Sequence, residues 1–157
     1  MIAVIGCGNA NRSDDGAGVA VVQALRQGAT RADVRLLDAG TDGMAVMFAA
    51  RGCATLIVID CCRTGGEPGA VFEVPGAELE AAHAPSLNLH DFRWDHALHA
   101  GRRIFREQFP RDVVVLLIEA GSLALGLDLT AEVAAAVARV RARVEQLIAE
   151  RPAGAAP

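Results

Sequence analysis

The chain has 157 residues, a net charge of -4 and 52% hydrophobic residues, of which few are aromatic. This length suits one domain with a substantial core, and the negative charge argues against a general binder of nucleic acid. No charged segment precedes an apolar run at the beginning, and no apolar run has the length of a membrane span. We therefore expect a soluble, cytoplasmic protein that binds neither nucleic acid nor membrane.

The first half of the chain predicts three strands separated by two helices. Ile2–Ile5 is a short apolar run ended by glycine, which indicates a buried strand. Apolar residues then recur at helical spacing from Ala17 to about Gln27. Val34–Leu37 predicts a second strand, and Met44 to about Ala50 predicts a short helix. Thr55–Ile59 predicts a central strand, because it is the most continuous β-branched run.

The second half predicts two more strands and two longer helices. The alternation over Gly69–Val74 favours a strand near a sheet edge, and the stretch from Pro75 to Asn88 is polar and irregular. A helix is predicted from about Trp94 to Gln108, followed by a buried strand at Val113–Ile118. The last helix is predicted to run from its N-cap at Thr130 to Glu150.

Alternating strands and helices predict one three-layer α/β domain over residues 1–150, with a flexible tail at 151–157. The expected sheet is twisted, mostly parallel and five-stranded, with helices on both faces. In such sheets the functional crevice lies at the carboxyl ends of the strands. Acidic segments follow four of the predicted strands: GCGNANRSDD, Asp38 with AGTDG, Asp60, and Glu119 with AGS. We therefore expect the functional site at this edge of the sheet.

The glycine-rich loop after the first strand raises the question of a phosphate or a cation. A dinucleotide fingerprint needs a third glycine where this chain has Asn11, and the chain has no lysine for a Walker motif. Asp14 and Asp15 follow Ser13 at the predicted helix start, where their charge suits a helix N-terminus but repels a phosphate. These features disfavour nucleotide binding.

A divalent first-row metal fits the acidic residues better than a phosphate does. Asp15 and Asp60 can both face the crevice, and His90 lies in the irregular segment that could fold over it. Two carboxylates and an imidazole suit such a metal and leave coordination positions open. A helix cap and a surface or core histidine remain the alternative interpretation of these residues.

Four motifs in register resemble those of the nickel–iron hydrogenase maturation endopeptidases. The motifs are GCGNANRSDDGAGV, DAGTDGM, LIVIDCC and GGEPG, and the similarity extends from Met1 to about Val133. The resemblance implies an endopeptidase that removes a C-terminal peptide from the precursor of the hydrogenase large subunit. It also implies that nickel is the metal and that the precursor supplies it.

The same resemblance assigns both metal contact and catalysis to Asp15, Asp60 and His90. The best-described members of the family have glutamate at the first of these positions, so Asp15 implies a slightly shifted geometry. His96 and His99 are close in sequence, and we interpret them as residues of the following helix.

The glycine turn after the second strand is predicted to hold the extended substrate tail beside the metal crevice. Its residues are Asp38, Gly40, Thr41 and Gly43. Glycines suit the positive φ angles of such turns, and a turn that only ends the strand is the structural alternative.

Other chemistries fit the sequence less well. The serines lack a G-x-S-x-G setting, and Cys7 is predicted to pack under the loop rather than act as a nucleophile. Cys61 and Cys62 are left out of the predicted site, and all four cysteines are expected to be reduced. A non-enzymatic chaperone that binds nickel or precursor, and a nucleotide-binding α/β protein, remain as alternative classes.

Overall fold

The computed structural model describes residues 1–81 and 93–153, and the first half of the chain follows a β-α-β-α-β order. The elements are β1 (Ile2–Cys7), α1 (Ala17–Arg26), β2 (Val34–Gly40), α2 (Gly43–Ala50) and β3 (Thr55–Cys62). A short 3₁₀ turn at Ser13–Gly16 precedes α1.

The second half adds two strands and three helices. They are β4 (Val71–Pro75), α3 (Gly76–Ala81), α4 (Trp94–Phe105), β5 (Asp112–Glu119) and α5 (Ala131–Ala149). A 3₁₀ turn at Arg106–Gln108 follows α4.

The five strands form one sheet in the order β2-β1-β3-β5-β4, in which only β4 is antiparallel to its neighbour. β3 is the central strand of this order, and its residues Leu56–Ile59 are completely buried because helices cover both faces of the sheet there. The predicted mostly parallel α/β fold and the predicted edge position of β4 are confirmed. Gly6 at the end of β1 pairs with Ile59, so that Asp60 follows directly beyond this pair.

Helices cover both faces of the sheet, as predicted. On one face, α1 and α5 bury their valines against Val4, Ile57 and Ile59. On the other face, α2 and α4 pack Met47 and Leu98 against the opposite sides of β1 and β3. Strands covered on both faces need apolar residues at successive positions, which explains their continuous apolar runs. None of the helices within residues 1–81 and 93–153 is both long enough and apolar enough to cross a membrane.

Several predicted boundaries are wrong. Residues 76–81 form α3, where an irregular stretch was predicted; Leu79 packs against the core there. The fourth helix ends at Phe105 rather than Gln108, because Arg106 has a φ of 50°. β3 extends to Cys62, so Asp60 lies within the last residues of the strand instead of after it.

A glycine near the end of β1 and a glycine in the first turn of α1 allow α1 to approach the sheet closely. A Cβ on Gly18 would lie 2.2 Å from the carbonyl oxygen of Ile59 and 2.5 Å from that of Cys7. A Cβ on Gly6 would lie 2.3 Å from the carbonyl oxygen of Gly18. Any side chain at these positions would push the helix away from the strands. These glycines therefore have a packing role that requires no phosphate.

Asp14 connects the loop after β1 to the loop between β5 and α5 through hydrogen bonds. Its side chain is completely buried and accepts hydrogen bonds from the backbone N–H groups of Gly121 and Ser122, both at 2.8 Å. It also accepts hydrogen bonds from the backbone N–H and the hydroxyl of Thr130, at 2.7 and 2.9 Å. Asp14 lies at a helix start with Asp15, as predicted, and its buried carboxylate in addition connects two loops.

We expect Asp14→Ala to lower the free energy of unfolding by about 3 kcal/mol, because it leaves several buried N–H groups without acceptors. Asp128→Ala is the matched control, since Asp128 is an exposed carboxylate on the β5–α5 loop that Asp14 binds. It should change stability by less than about 0.5 kcal/mol. Urea unfolding followed by circular dichroism measures both values, and equal effects of the two variants would contradict a special role for Asp14.

Candidate active site

A cavity of about 290 Å³ opens at the carboxyl ends of the first three strands. Its wall is formed by the loop after β1, the loop after β2, the end of β3 and the start of α4. Ligands of open α/β sheets bind in this position. The cavity therefore lies at the sheet edge that the acidic residues predicted.

The structure brings Asp15 and Asp60 together in this cavity. Carboxylate oxygens of Asp15 and Asp60 and the Sγ atom of Cys61 all lie within 4.8 Å of one another. Asp15 accepts a hydrogen bond from the backbone N–H of Asn9 at 3.1 Å, and its other oxygen accepts one from the Cys61 thiol at 3.1 Å. Cys61 was left out of the predicted site, and the structure places its thiol within it.

Asp60 is almost completely buried, and both of its oxygens accept hydrogen bonds. Oδ1 accepts from the backbone N–H of Cys61 at 2.8 Å. Oδ2 accepts from the indole Nε1 of Trp94 at 2.6 Å and from the guanidinium of Arg93 at 3.2 Å. Three groups therefore fix the orientation of this carboxylate.

Arg93 and Trp94 are site residues that the sequence analysis missed. They lie at the start of α4, more than 30 positions after Asp60, with which they are paired. The only signal in the sequence was that a polar residue and an aromatic residue begin a predicted helix, and this pattern occurs at many helix starts. Their contact with Asp60 depends on how α4 packs against the sheet.

Gly8 determines how closely the loop after β1 approaches Asp15. Its φ angle is +116°, and a Cβ there would lie 1.8 Å from the backbone oxygen of Asp15. Only glycine fits this position without moving the loop. The second glycine of the motif thus places the carboxylate of Asp15 in the cavity.

The ionisable groups of the site respond to burial. Burial raises the pKa of Asp60, and Asp15 raises it further; the hydrogen bonds from Trp94 and Cys61 and the charge of Arg93 act in the opposite direction. Burial and the hydrogen bond to Asp15 raise the pKa of Cys61, so its thiol is protonated at neutral pH. The pKa of the buried Cys7 is also raised, chiefly by burial. A protonated thiol is a poor nucleophile, which supports a packing role for Cys7.

The predicted third ligand, His90, lies outside the described residues. His96 and His99 are on α4, as predicted, and neither is among the described residues that line the cavity. His96 instead accepts a hydrogen bond through Nδ1 from the backbone N–H of Arg93, at 3.4 Å.

The turn after β2 forms one wall of the cavity. Gly40, Thr41 and Gly43 line it. Asp38 is exposed and lines an adjoining depression, and its carboxylate accepts a hydrogen bond from the backbone N–H of Gly40 at 3.0 Å. The carboxylate of Asp38 therefore shapes the turn that carries the other three residues.

Glu119 lies at the predicted sheet edge, as the last residue of β5, but its carboxylate does not face the cavity. Its carboxylate is 1% exposed and accepts hydrogen bonds from the backbone N–H groups of residues 64–66, at 2.8 to 3.1 Å. The Cys62 thiol also donates to it at 3.3 Å. Glu119 therefore holds the TGG loop in place and does not line the cavity.

Glu119 also makes stability depend on pH. Burial raises the pKa of Glu119, but hydrogen bonds from the side chains of Thr64 and Cys62 and from nearby N–H groups outweigh this and lower the pKa. A carboxylate whose pKa is lowered in the folded state stabilises the protein at pH values above its ordinary pKa, which is near 4.5. This stabilisation is lost as the pH falls through the pKa of the folded state.

We therefore expect Glu119→Gln to be less stable than the wild type at pH 7 and to approach it as the pH falls toward 3. Urea unfolding midpoints at a series of pH values measure the difference. Glu145→Gln is the control, because Glu145 forms only an exposed pair with Arg141 on α5. A constant difference between wild type and Glu119→Gln over this pH range would contradict the role of the ionised carboxylate.

Comparison with known proteins identifies the family. The sequence model of HycI, described as a hydrogenase maturation protease, matches residues 19–147, which is most of the chain. The chain belongs to the hydrogenase maturation protease family. The resemblance found in the four motifs is thus confirmed.

Individual relatives agree with this family. The chain is 33% identical over 99 residues to the hydrogenase expression/formation protein HupD of Thiocapsa roseopersicina, a match that covers 62% of the chain and 45% of HupD. The chain thus matches less than half the length of this curated relative.

The fold is that of solved structures of this family. The hydrogenase maturating endopeptidase HybD from E. coli has a TM-score of 0.82 and 25% identity, with 96% of this chain and 93% of HybD covered. A solution structure of an endopeptidase from Escherichia coli has a TM-score of 0.80 and 27% identity over the same shares of the two chains. Both similarities extend over almost the whole of this chain.

Proposed function

We propose that the chain is an endopeptidase that removes a C-terminal peptide from the nickel-loaded precursor of a nickel–iron hydrogenase large subunit. The observation that carries this proposal is the convergence of Asp15 and Asp60 in the cavity at the sheet edge, in a member of the hydrogenase maturation protease family. The similar HybD of E. coli is itself described as a hydrogenase maturating endopeptidase.

In this proposal, Asp15, Asp60 and His90 contact the nickel that the precursor carries. The described part of this set fits a metal, because two carboxylates converge within 4.8 Å at a cavity wall. Three protein ligands leave positions open for the ligands of the precursor. The bound nickel would polarise the scissile carbonyl or lower the pKa of a water molecule.

The residues around the two carboxylates have positioning roles. Trp94 is 9% exposed and holds Oδ2 of Asp60 through its indole N–H, which keeps the carboxylate directed at the cavity. Asn9 does the same for Asp15 through its backbone N–H. Ligands held by such fixed donors need little reorganisation when they bind a metal.

The turn with Gly40, Thr41 and Gly43 is proposed to hold the extended tail of the precursor, with Asp38 supporting the turn. These three residues line the same cavity as the carboxylates, so a peptide lying along them would pass beside Asp15 and Asp60. Glycines let a peptide backbone approach closely.

We place this reaction in the cytoplasm. The four cysteines are all free thiols, which is the usual state in a reducing compartment.

The test of the proposed function is direct. The purified protein is incubated with nickel-loaded precursor, and mass spectrometry follows the appearance of the C-terminal peptide. Release of a single C-terminal peptide supports the peptidase. Stable binding of the precursor without any peptide release would instead support a non-enzymatic chaperone.

A further inference from the structure

Within residues 1–81 and 93–153, Arg93 forms the one hydrogen bond to Asp60 that can be released without disturbing the core. The Arg93 side chain is 63% exposed, and its guanidinium lies 3.2 Å from Oδ2 of Asp60. The other groups that contact this carboxylate are a backbone N–H and the buried indole of Trp94. An exposed arginine is flexible, whereas these two donors are fixed by the fold.

Two described residues already donate to the oxygen that Arg93 contacts. A carboxylate oxygen has two lone pairs, and those of Oδ2 are taken by Trp94 at 2.6 Å and by Arg93 at 3.2 Å. A metal ion that binds Oδ2 must therefore replace one of these donors. Arg93 has the longer and more exposed contact, so it is the donor that leaves.

The charge of Arg93 also opposes a cation. Asp15 and Asp60 together carry two negative charges in the ionised state, and the guanidinium neutralises one of them at close range. A divalent ion at the carboxylates would face the guanidinium at short distance unless the side chain swings into solvent.

We propose that Arg93 is a removable counter-ion that weakens the binding of free metal at Asp15 and Asp60. This inference rests on the metal-contacting role proposed above for these two carboxylates. A free ion that binds Oδ2 of Asp60 must displace Arg93 with its own binding energy alone. Nickel carried by the precursor arrives with the additional contacts of the peptide in the cavity, which offset the same cost. Arg93 therefore favours nickel carried by the precursor over free nickel.

The experiment compares the affinity of three variants and the wild type for nickel chloride. Arg93→Gln removes the charge, Arg93→Lys keeps it, and Arg12→Gln removes a different charge from the same cavity. The guanidinium of Arg12 donates to the backbone oxygen of Leu123, at 3.2 and 3.3 Å, and not to a carboxylate of the cluster. Calorimetry measures affinity, and the fluorescence of Trp94, the only tryptophan of the chain, reports on Asp60.

We expect Arg93→Gln to bind nickel about three- to tenfold more tightly than the wild type. Arg93→Lys and Arg12→Gln should remain within about twofold of it, and the gain in Arg93→Gln should shrink at high salt. Unchanged or weaker binding in Arg93→Gln, an equal gain in Arg12→Gln, or no detectable binding in any variant would overturn the proposal.

This result is independent of the proposed peptidase activity, because it is measured without precursor. If the wild-type protein released no peptide from nickel-loaded precursor, the proposed peptidase function would be wrong. Tighter nickel binding by Arg93→Gln would then still support the counter-ion role of Arg93.

Discussion

The Asp15→Asn and Asp60→Asn variants are expected to process the nickel-loaded precursor at least about 100-fold more slowly than the wild type. Each substitution keeps the shape of the side chain but removes the charge that would contact the metal or activate water, and such groups contribute about 10²- to 10⁴-fold to a rate. The measurement is the initial rate of peptide release, quantified by mass spectrometry.

Both variants should remain folded. Burial raises the pKa of Asp60, so the ionised carboxylate costs stability at neutral pH, and removing its charge relieves that cost. In Asp60→Asn, Arg93 loses its negatively charged partner, but its side chain is 63% exposed, so water can hydrate the guanidinium. Circular dichroism and thermal unfolding should therefore give curves close to those of the wild type.

Asp128→Asn is the control for these variants, because it removes a charge from an exposed carboxylate outside the cavity. It should process the precursor at the wild-type rate. If Asp15→Asn and Asp60→Asn both retained full processing, the metal-contacting role of these carboxylates would be wrong.

A precursor that lacks nickel should remain uncut even at high concentration of the protein. Nickel-loaded precursor should be cut without any metal added. The physical reason is the weakness of the site on its own: the Cys61 thiol is protonated, and the described oxygen ligands come from only two carboxylates. A chelator added after loading should have little effect, because ligands of the precursor hold the nickel. Time courses with loaded and unloaded precursor, with and without chelator, measure these expectations.

The opposite pattern would assign the metal to the protein itself. Tight binding of free nickel by the wild type, together with cleavage of metal-free precursor, would indicate a resident cofactor. Asp15 and Asp60 would then belong to an ordinary catalytic metal site, and nickel in the precursor would no longer control cleavage.

Much of the fold follows from local patterns. Continuous apolar runs such as Thr55–Ile59 predicted buried parallel strands, because a strand covered on both faces needs apolar residues at successive positions. The topological rule for parallel sheets then predicted the edge at which Asp15 and Asp60 meet. Element ends were less predictable: α3 and the end of α4 depend on contacts with the core and on the φ angle of a single residue, Arg106.

The adjacent residues Asp14 and Asp15 show what the sequence alone does not contain. Successive residues of a 3₁₀ turn point about 120° apart, so two identical side chains face different surroundings. Asp14 faces the β5–α5 loop and is buried under its N–H groups, whereas Asp15 faces the cavity. No local pattern distinguishes the two, because the loop that Asp14 binds begins more than 100 residues later.

The whole site likewise combines features that the sequence predicts with contacts that it does not. The alternation of strands and helices, the sheet edge, and the family motifs that contain Asp15 and Asp60 can all be predicted from the order of the amino acids. Three contacts are visible only in the folded protein: Cys61 faces Asp15, Glu119 holds a loop, and Arg93 contacts Asp60. Periodicity and strand order are local properties of the chain, whereas these contacts join residues more than 30 positions apart and exist only after the helices have packed on the sheet.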